Sequence, residues 1–220
     1  MQAKDLSQQV ARPDMTQEAL YQMAWAHVQL EALDKAEEIA RQSLELTMQT
    51  KDRMREANVH NVLGVINIAQ GRYADARNHI EKFLHVAQEI GNKNRELIAL
   101  NSLVVILIIL GEYDKAVEYG IRKLNLSIEV GDHVIEGTAC INLAWATSAK
   151  GDLQAAEEYV LRGLPIKREI QQLEALAEGL VWLGHIKLGL HQPEEAEQAS
   201  CMSVFFLPAS SRNAGMTKSI

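Results

Sequence analysis

A self-similarity at a spacing of 40 residues constrains this chain more than any other feature. The segments EALDKAE at Glu31, GRYADAR at Gly71, GEYDKAV at Gly111, GDLQAAE at Gly151 and HQPEEAE at His191 each begin 40 residues after the last. All carry alanine at the sixth place: Ala36, Ala76, Ala116, Ala156 and Ala196. A second register keeps step. Thirteen residues before those alanines stand Met23, Leu63, Leu103, Leu143 and Leu183, followed by Ala24, Gly64, Val104, Ala144 and Gly184. A period of this length marks an array, in which no unit buries its apolar face alone and stacking builds the core.

Each unit reads as two helices. In the second, His60, Leu63, Gly64 and Asn67 fall at i, i+3, i+4 and i+7, one face of a helix predicted from about Arg53 to Gln70. Gly71 breaks it. A second helix is expected from Tyr73 to about Ile90, with Ala76, Ile80, Phe83, Leu84 and Ala87 inward and Gly91-Asn92 at its end. Thr50-Lys51-Asp52 and Gly131-Asp132 take the same place in neighbouring units. Gly64 and Ala76 are small enough for two antiparallel helices to pack at ridge-into-groove distance.

This pattern resembles the tetratricopeptide repeat, W-x2-L-G-x2-Y followed by an alanine and an aromatic. The matching residues are His60-x2-Leu63-Gly64-x2-Asn67, then Ala76 and Ile80; the fourth unit gives Cys140-x2-Leu143-Ala144-x2-Thr147, then Ala156 and Val160. The family's first aromatic and its tyrosine are missing, and its closing proline is replaced by a longer second helix. The unit also exceeds the family norm of about 34 residues. It is similar to the long-repeat variety found in spindle-orientation adaptors and in sensor arms of bacterial ATP-dependent transcription regulators. The resemblance implies an all-α fold: a right-handed superhelical α-solenoid of antiparallel helix pairs, about five repeats with the fifth incomplete. The expected division is a polar segment over 1–13 and an array over 14–199. The repeats lie near 14–52, 53–92, 93–132, 133–172 and 173–206, and an irregular tail follows over 207–220.

Two places depart from the rule. Pro165, beside Gly163, falls inside a second helix and is expected to kink it. After Ser200 the chain runs CMSVFFLPASSRNAGMTKSI, without an acidic residue. This reads as a truncation, an out-of-frame terminus or a divergent cap. Phe205-Phe206-Leu207 makes an apolar patch and a candidate for self-association.

No P-loop, GxGxxG, GxSxG or HExxH motif occurs, so neither an enzyme nor a cofactor is expected. The seven histidines lack the i, i+4 spacing of a helical metal pair. His60 and Cys140 hold equivalent inner positions and read as core residues. His79 and His85 are expected toward solvent, and the pairs Glu37-Glu38, Glu157-Glu158 and Glu194-Glu195 as solvated faces near helix starts. A net charge of -7 without a basic stripe disfavours nucleic acid. The apolar run Leu97–Leu110 contains Asn101 and Ser102 and is shorter than the roughly 20 residues of a membrane helix. Two cysteines without CxxC spacing and a polar start fit a cytoplasmic protein.

In tetratricopeptide arrays the first helices line a concave groove. Carried onto this register, the lining consists of Tyr21 and Trp25; Asn58, Asn61 and Val65; Ile98, Asn101, Val105 and Ile108; and Ile141, Asn142 and Trp145. The family's Lys/Asn/Arg clamp for a terminal carboxylate is not reproduced. Asparagines there can bond the backbone of an extended segment, and the tryptophans are of the anchor type. The expected function is a non-catalytic scaffold that binds a peptide or helix of a protein partner. The alternative is a sensor arm or fragment of a larger bacterial signalling protein, an ATPase-type transcription regulator or a cyclase.

Overall fold

The computed structural model describes residues 13–206; the expectations for 1–12 and 207–220 lie outside them. Ten helices follow one another: α1 (Pro13–Gln29), α2 (Leu33–Thr50), α3 (Arg53–Ala69), α4 (Tyr73–Glu89), α5 (Lys93–Ile109), α6 (Tyr113–Val130), α7 (His133–Lys150), α8 (Leu153–Glu169), α9 (Leu173–Gly189) and α10 (Pro193–Phe206). No strand occurs among the described residues. The fold is a solenoid of helix pairs. Helices α3 and α4 match their predicted limits to within one residue.

A residue in the left-handed conformation joins each helix to the next, and these residues recur every 20 positions. Five are glycines: Gly71, Gly91, Gly111, Gly131 and Gly151, with φ from 67° to 92°. Four are not: Glu31, Lys51 and Gln171 at 56° and His191 at 60°. The reversal lets the next N–H return to the helix just ended. Arg72 N donates to Asn67 O at 2.8 Å, Asp132 N to Ser127 O at 2.9 Å and Gln192 N to Lys187 O at 2.9 Å. This closure satisfies otherwise orphaned carbonyls. The following residue often starts the next helix. Asp52, Asn92, Asp132 and Asp152 accept from Arg55 N, Arg95 N, Ile135 N and Ala155 N at 2.9–3.1 Å. A Gly-Asp or Gly-Asn pair is thus a stop and a start in adjacent residues.

The chain forms two compact units, divided between Ile106 and Leu107. In the N-terminal unit, Ala24 of α1, Ala36, Ile39 and Ala40 of α2, and Val59, Val62, Leu63 and Ile66 of α3 form one buried cluster. Gly64 meets α4: a β-carbon there would lie 2.7 Å from Ile80 Cγ1 and nearer still to its Cδ1. In the C-terminal unit, Ile141 and Ala144 of α7 pack with Ala156 and Val160 of α8 and Ile186 of α9. Gly120 of α6 lies against Leu143 of α7 in the same way, its added β-carbon 2.6 Å from Cδ2. Within each unit successive first helices also meet, α1 with α3 and α7 with α9.

Helix α8 runs through Pro165 without a break. Both Pro165 and Leu161, whose carbonyl loses its partner, face outward, so solvent can satisfy the freed group. Met23, in the leucine register, is exposed, because no described helix precedes α1 to cover it. His79 is half-buried against His60 rather than solvated. Carboxylates read as a solvated face join successive repeats instead. Glu37 of α2 takes Arg41 at 2.7 Å and Arg72, ahead of α4, at 2.5 Å. Lys187 of α9, nearly buried, sits between Glu157 of α8 and Glu195 of α10. The Arg72 hydrogen bond is the main reason the Glu37 carboxyl lies below its usual range.

Candidate partner-binding face

In the N-terminal unit the expected lining residues sit on α1, α3 and α5. Asn58, Asn61, Val65, Asn101 and Val105 are half-buried, and Ile98 is 48% exposed. Tyr21 and Trp25 are half-buried too, with one side packed on the cluster of α1, α2 and α3. They therefore stabilise the unit as well as present a surface. Polar cross-links run along this face: Arg55 Nη1 of α3 donates to Gln17 Oε1 of α1 at 3.2 Å, and Arg95 Nη1 of α5 donates to Asn58 Oδ1 of α3. The unit offers apolar side chains interleaved with amide groups.

In the C-terminal unit two expected lining residues are core. Ile108 and Ile141 are each only 5% exposed. Ile141 fills space left by two glycines: β-carbons at Gly163 and Gly179 would lie 3.1 Å and 2.9 Å from its Cδ1. Groove and core positions adjoin at helical spacing, and the missing side chains on α8 and α9 draw Ile141 inward. Asn142 and Trp145 stay half-buried. Trp145 stacks on Trp182 of α9, centroids 5.5 Å apart and planes 28° apart, and His185 tilts against Trp182 at 6.1 Å. Sequence reasoning passed over Trp182; its signal was its place 40 residues after Asn142.

Other polar groups are buried for packing. Cys140 is fully buried, and desolvation pushes its thiol up to about 11, far from a nucleophile's range. Lys123 and Lys167 are each 1% exposed. Lys167 Nζ donates to Val134 O at 3.1 Å, Thr138 Oγ1 at 2.6 Å and Gln172 Oε1 at 2.8 Å. Gly137 leaves room for its stem, since a β-carbon there would lie 3.1 Å from Lys167 Cε. Among the described residues no three His, Cys, Asp or Glu side chains group as metal ligands, and no helix is long and apolar enough to cross a membrane.

A tetratricopeptide-repeat family model matches residues 54–120 and 95–169, and a second tetratricopeptide-repeat model matches 17–47. The chain belongs to the tetratricopeptide-repeat family. A search of the curated proteins matched no relative. Among solved structures, the tetratricopeptide array is similar to BtubC (BKLC) from P. vanneervenii, at 16% identity over 98% of this chain and 93% of that one, with a TM-score of 0.75. It is also similar to a signal-transduction ATPase with numerous domains (STAND) from Pyrococcus horikoshii, which carries a tetratricopeptide-repeat sensor. That match has 17% identity over 94% of this chain and 34% of that one, with a TM-score of 0.79. A third similar structure is a Rap protein complexed with competence and sporulation factor, at 13% identity over 95% and 58% of the two chains and a TM-score of 0.73. At these identities the likeness is one of fold. Within the family signature, the chain keeps the close approach at Gly64 and Ala76 and puts a histidine pair where His60 replaces the first aromatic.

Proposed function

We propose that this tetratricopeptide array is a non-catalytic scaffold that takes a peptide or helix of a protein partner on the first-helix face of its N-terminal unit. The observation that carries this is the interleaving of half-buried amides with apolar groups, of which Ile98 is the most exposed. Asn58, Asn61 and Val65 lie on α3, and Ile98, Asn101 and Val105 on α5. An amide offers a donor and an acceptor to a peptide backbone, and the aliphatic neighbours receive alternate side chains. The Rap protein held with competence and sporulation factor is a neighbour of the same fold with a bound factor. Asn101→Ala combined with Val105→Glu should abolish partner recovery in a pull-down while leaving the helical circular dichroism and the melting temperature in place. Undiminished recovery by this folded variant would remove the groove reading.

The second reading is a regulatory sensor arm of a larger signalling protein. The STAND ATPase favours it, because the chain aligns with about a third of that protein, which carries a tetratricopeptide-repeat sensor. Reading the flanking genomic DNA for further 40-residue repeats or a nucleotide-binding motif tests it; an isolated reading frame counts against it. Self-association through α10 belongs to the first reading: Phe205 is 75% exposed beside Met202 and Val204. Phe205→Ser should remove any concentration-dependent rise in sedimentation coefficient, and a wild-type monomer at every concentration would dismiss the contact. Two cysteines without disulfide spacing support a cytoplasmic setting for this reading, and the net charge of -7 without a basic stripe favours a protein over a nucleic-acid partner.

A further inference from the structure

The first turns of α3 and α5 carry the same residue at the same place in the repeat, Arg55 and Arg95, 40 positions apart. Each guanidinium reaches back to an amide on the preceding first helix, Arg55 to Gln17 and Arg95 to Asn58. Their surroundings differ by one functional group. The residue that caps α3 is Asp52, whose Oδ2 lies 3.0 Å from Arg55 Nη1 and balances its charge. The residue that caps α5 is Asn92, which accepts from Arg95 N at 3.1 Å and brings no charge. Among the described residues no carboxylate pairs with Arg95, and its Nε is buried without a hydrogen-bond partner. The second repeat therefore neutralises its arginine internally, and the third leaves the equivalent arginine half-buried and uncompensated.

A half-buried guanidinium without a counter-charge is stabilised by a carboxylate, which accepts a charge-assisted hydrogen bond from its Nη groups. Arg95 borders the face described above: Asn58 is its partner, and Ile98, one turn further along α5, is open. We infer that Arg95 is a carboxylate-recognition point, and that the segment received on this face carries an aspartate or glutamate next to an apolar residue. This rests on the groove reading above and adds the chemistry of the occupant. The chain's net charge of -7 opposes indiscriminate attraction of acidic segments, so selection lies in the local pairing. Asn58, already held by Arg95, is fixed for a backbone contact beside the carboxylate.

The test uses the full chain and a displayed library of random dodecapeptides, selected in parallel against the wild type, Arg95→Gln and Asn92→Asp. The last variant keeps the cap of α5 and supplies the internal carboxylate that Asp52 gives Arg55. The wild type should enrich peptides with an acidic residue adjacent to an apolar one. Replacing that acid by its amide should weaken binding about tenfold, as loss of a charge-assisted pair does. Asn92→Asp should lose the acidic preference while melting no lower than the wild type, which separates recognition from folding. Enriched peptides without acidic residues, or an unchanged acidic preference in both variants, would overturn the assignment of Arg95 while leaving the groove intact. Failure of the wild type to enrich any peptide would overturn the groove reading and this inference with it.

Discussion

The Nδ1 atoms of His60 on α3 and His79 on α4 lie 3.1 Å apart, with the rings tilted 37° to each other. A bond between them needs one ring to donate and the other to offer its lone pair, so the accepting ring must be neutral and a doubly protonated pair cannot form it. Burial comes first in holding His60 down to about 4, followed by the charges of His79, Lys82 and Arg53. Burial also lowers His79, with Lys82 and Arg41 adding to it and Asp75 and Glu37 opposing. The unfolded chain therefore binds protons that the folded one refuses between pH 6.5 and about 4. Stability is unaffected by His60 above pH 6.5 and falls below it. Denaturant unfolding at pH 7.5 and 4.5 should show His60→Leu losing roughly 1–3 kcal/mol less than the wild type across this interval. Parallel losses would contradict the pairing.

Two buried lysines of the C-terminal unit should respond differently to removal. Lys123 is pushed down to about 7, by desolvation first and the Lys167 charge second. Its penalty is full below pH 7 and fades as pH rises toward 10.5. Lys123→Met removes this penalty, so the variant's stability relative to the wild type should be higher at pH 7 than at pH 10. Lys167 has three acceptors, which Lys167→Met would leave bare at a cost of roughly 1–3 kcal/mol. Melting curves of both variants at two pH values decide the matter; equal effects would contradict the distinction.

The left-handed links predict a third contrast. Lys51 and Gln171 hold φ of 56° with a side chain. Lys51→Gly or Gln171→Gly should stabilise by about 0.5–1 kcal/mol. At Gly111 an added β-carbon meets nothing within 4 Å, so Gly111→Ala should cost about 1 kcal/mol through backbone strain alone. Thermal unfolding of the three variants checks the signs.

Gly64 and Ile80 should be energetically coupled. Gly64→Ala drives a β-carbon into the Ile80 side chain and should cost roughly 1–3 kcal/mol. Ile80→Val removes the offending Cδ1, so the double variant should be more stable than the two single losses added together. Strict additivity would mean that α3 and α4 do not meet there.

The fold was legible because its signals are periodic: the alanine at every fortieth place, the leucine-small pair thirteen residues earlier, and the glycines between. What hid was whatever depends on a neighbouring helix. Ile141 looked like lining until the glycines at 163 and 179 drew it inward. His79 looked solvated because its partner lies nineteen residues back on another helix. The burial of Lys123 and Lys167 likewise depends on neighbouring helices, with Gly137 of α7 making room for the Lys167 stem. Asn61 and Val65, placed on α3 by register, are half-buried there.

Site-directed photo-crosslinking tests the central claim most directly. A benzoylphenylalanine placed at Val65 on α3 should give a covalent adduct with the partner in cells. The same group at Glu81, exposed on α4, should give none. Adducts from position 81 with none from position 65 would contradict a partner seated on the first-helix face.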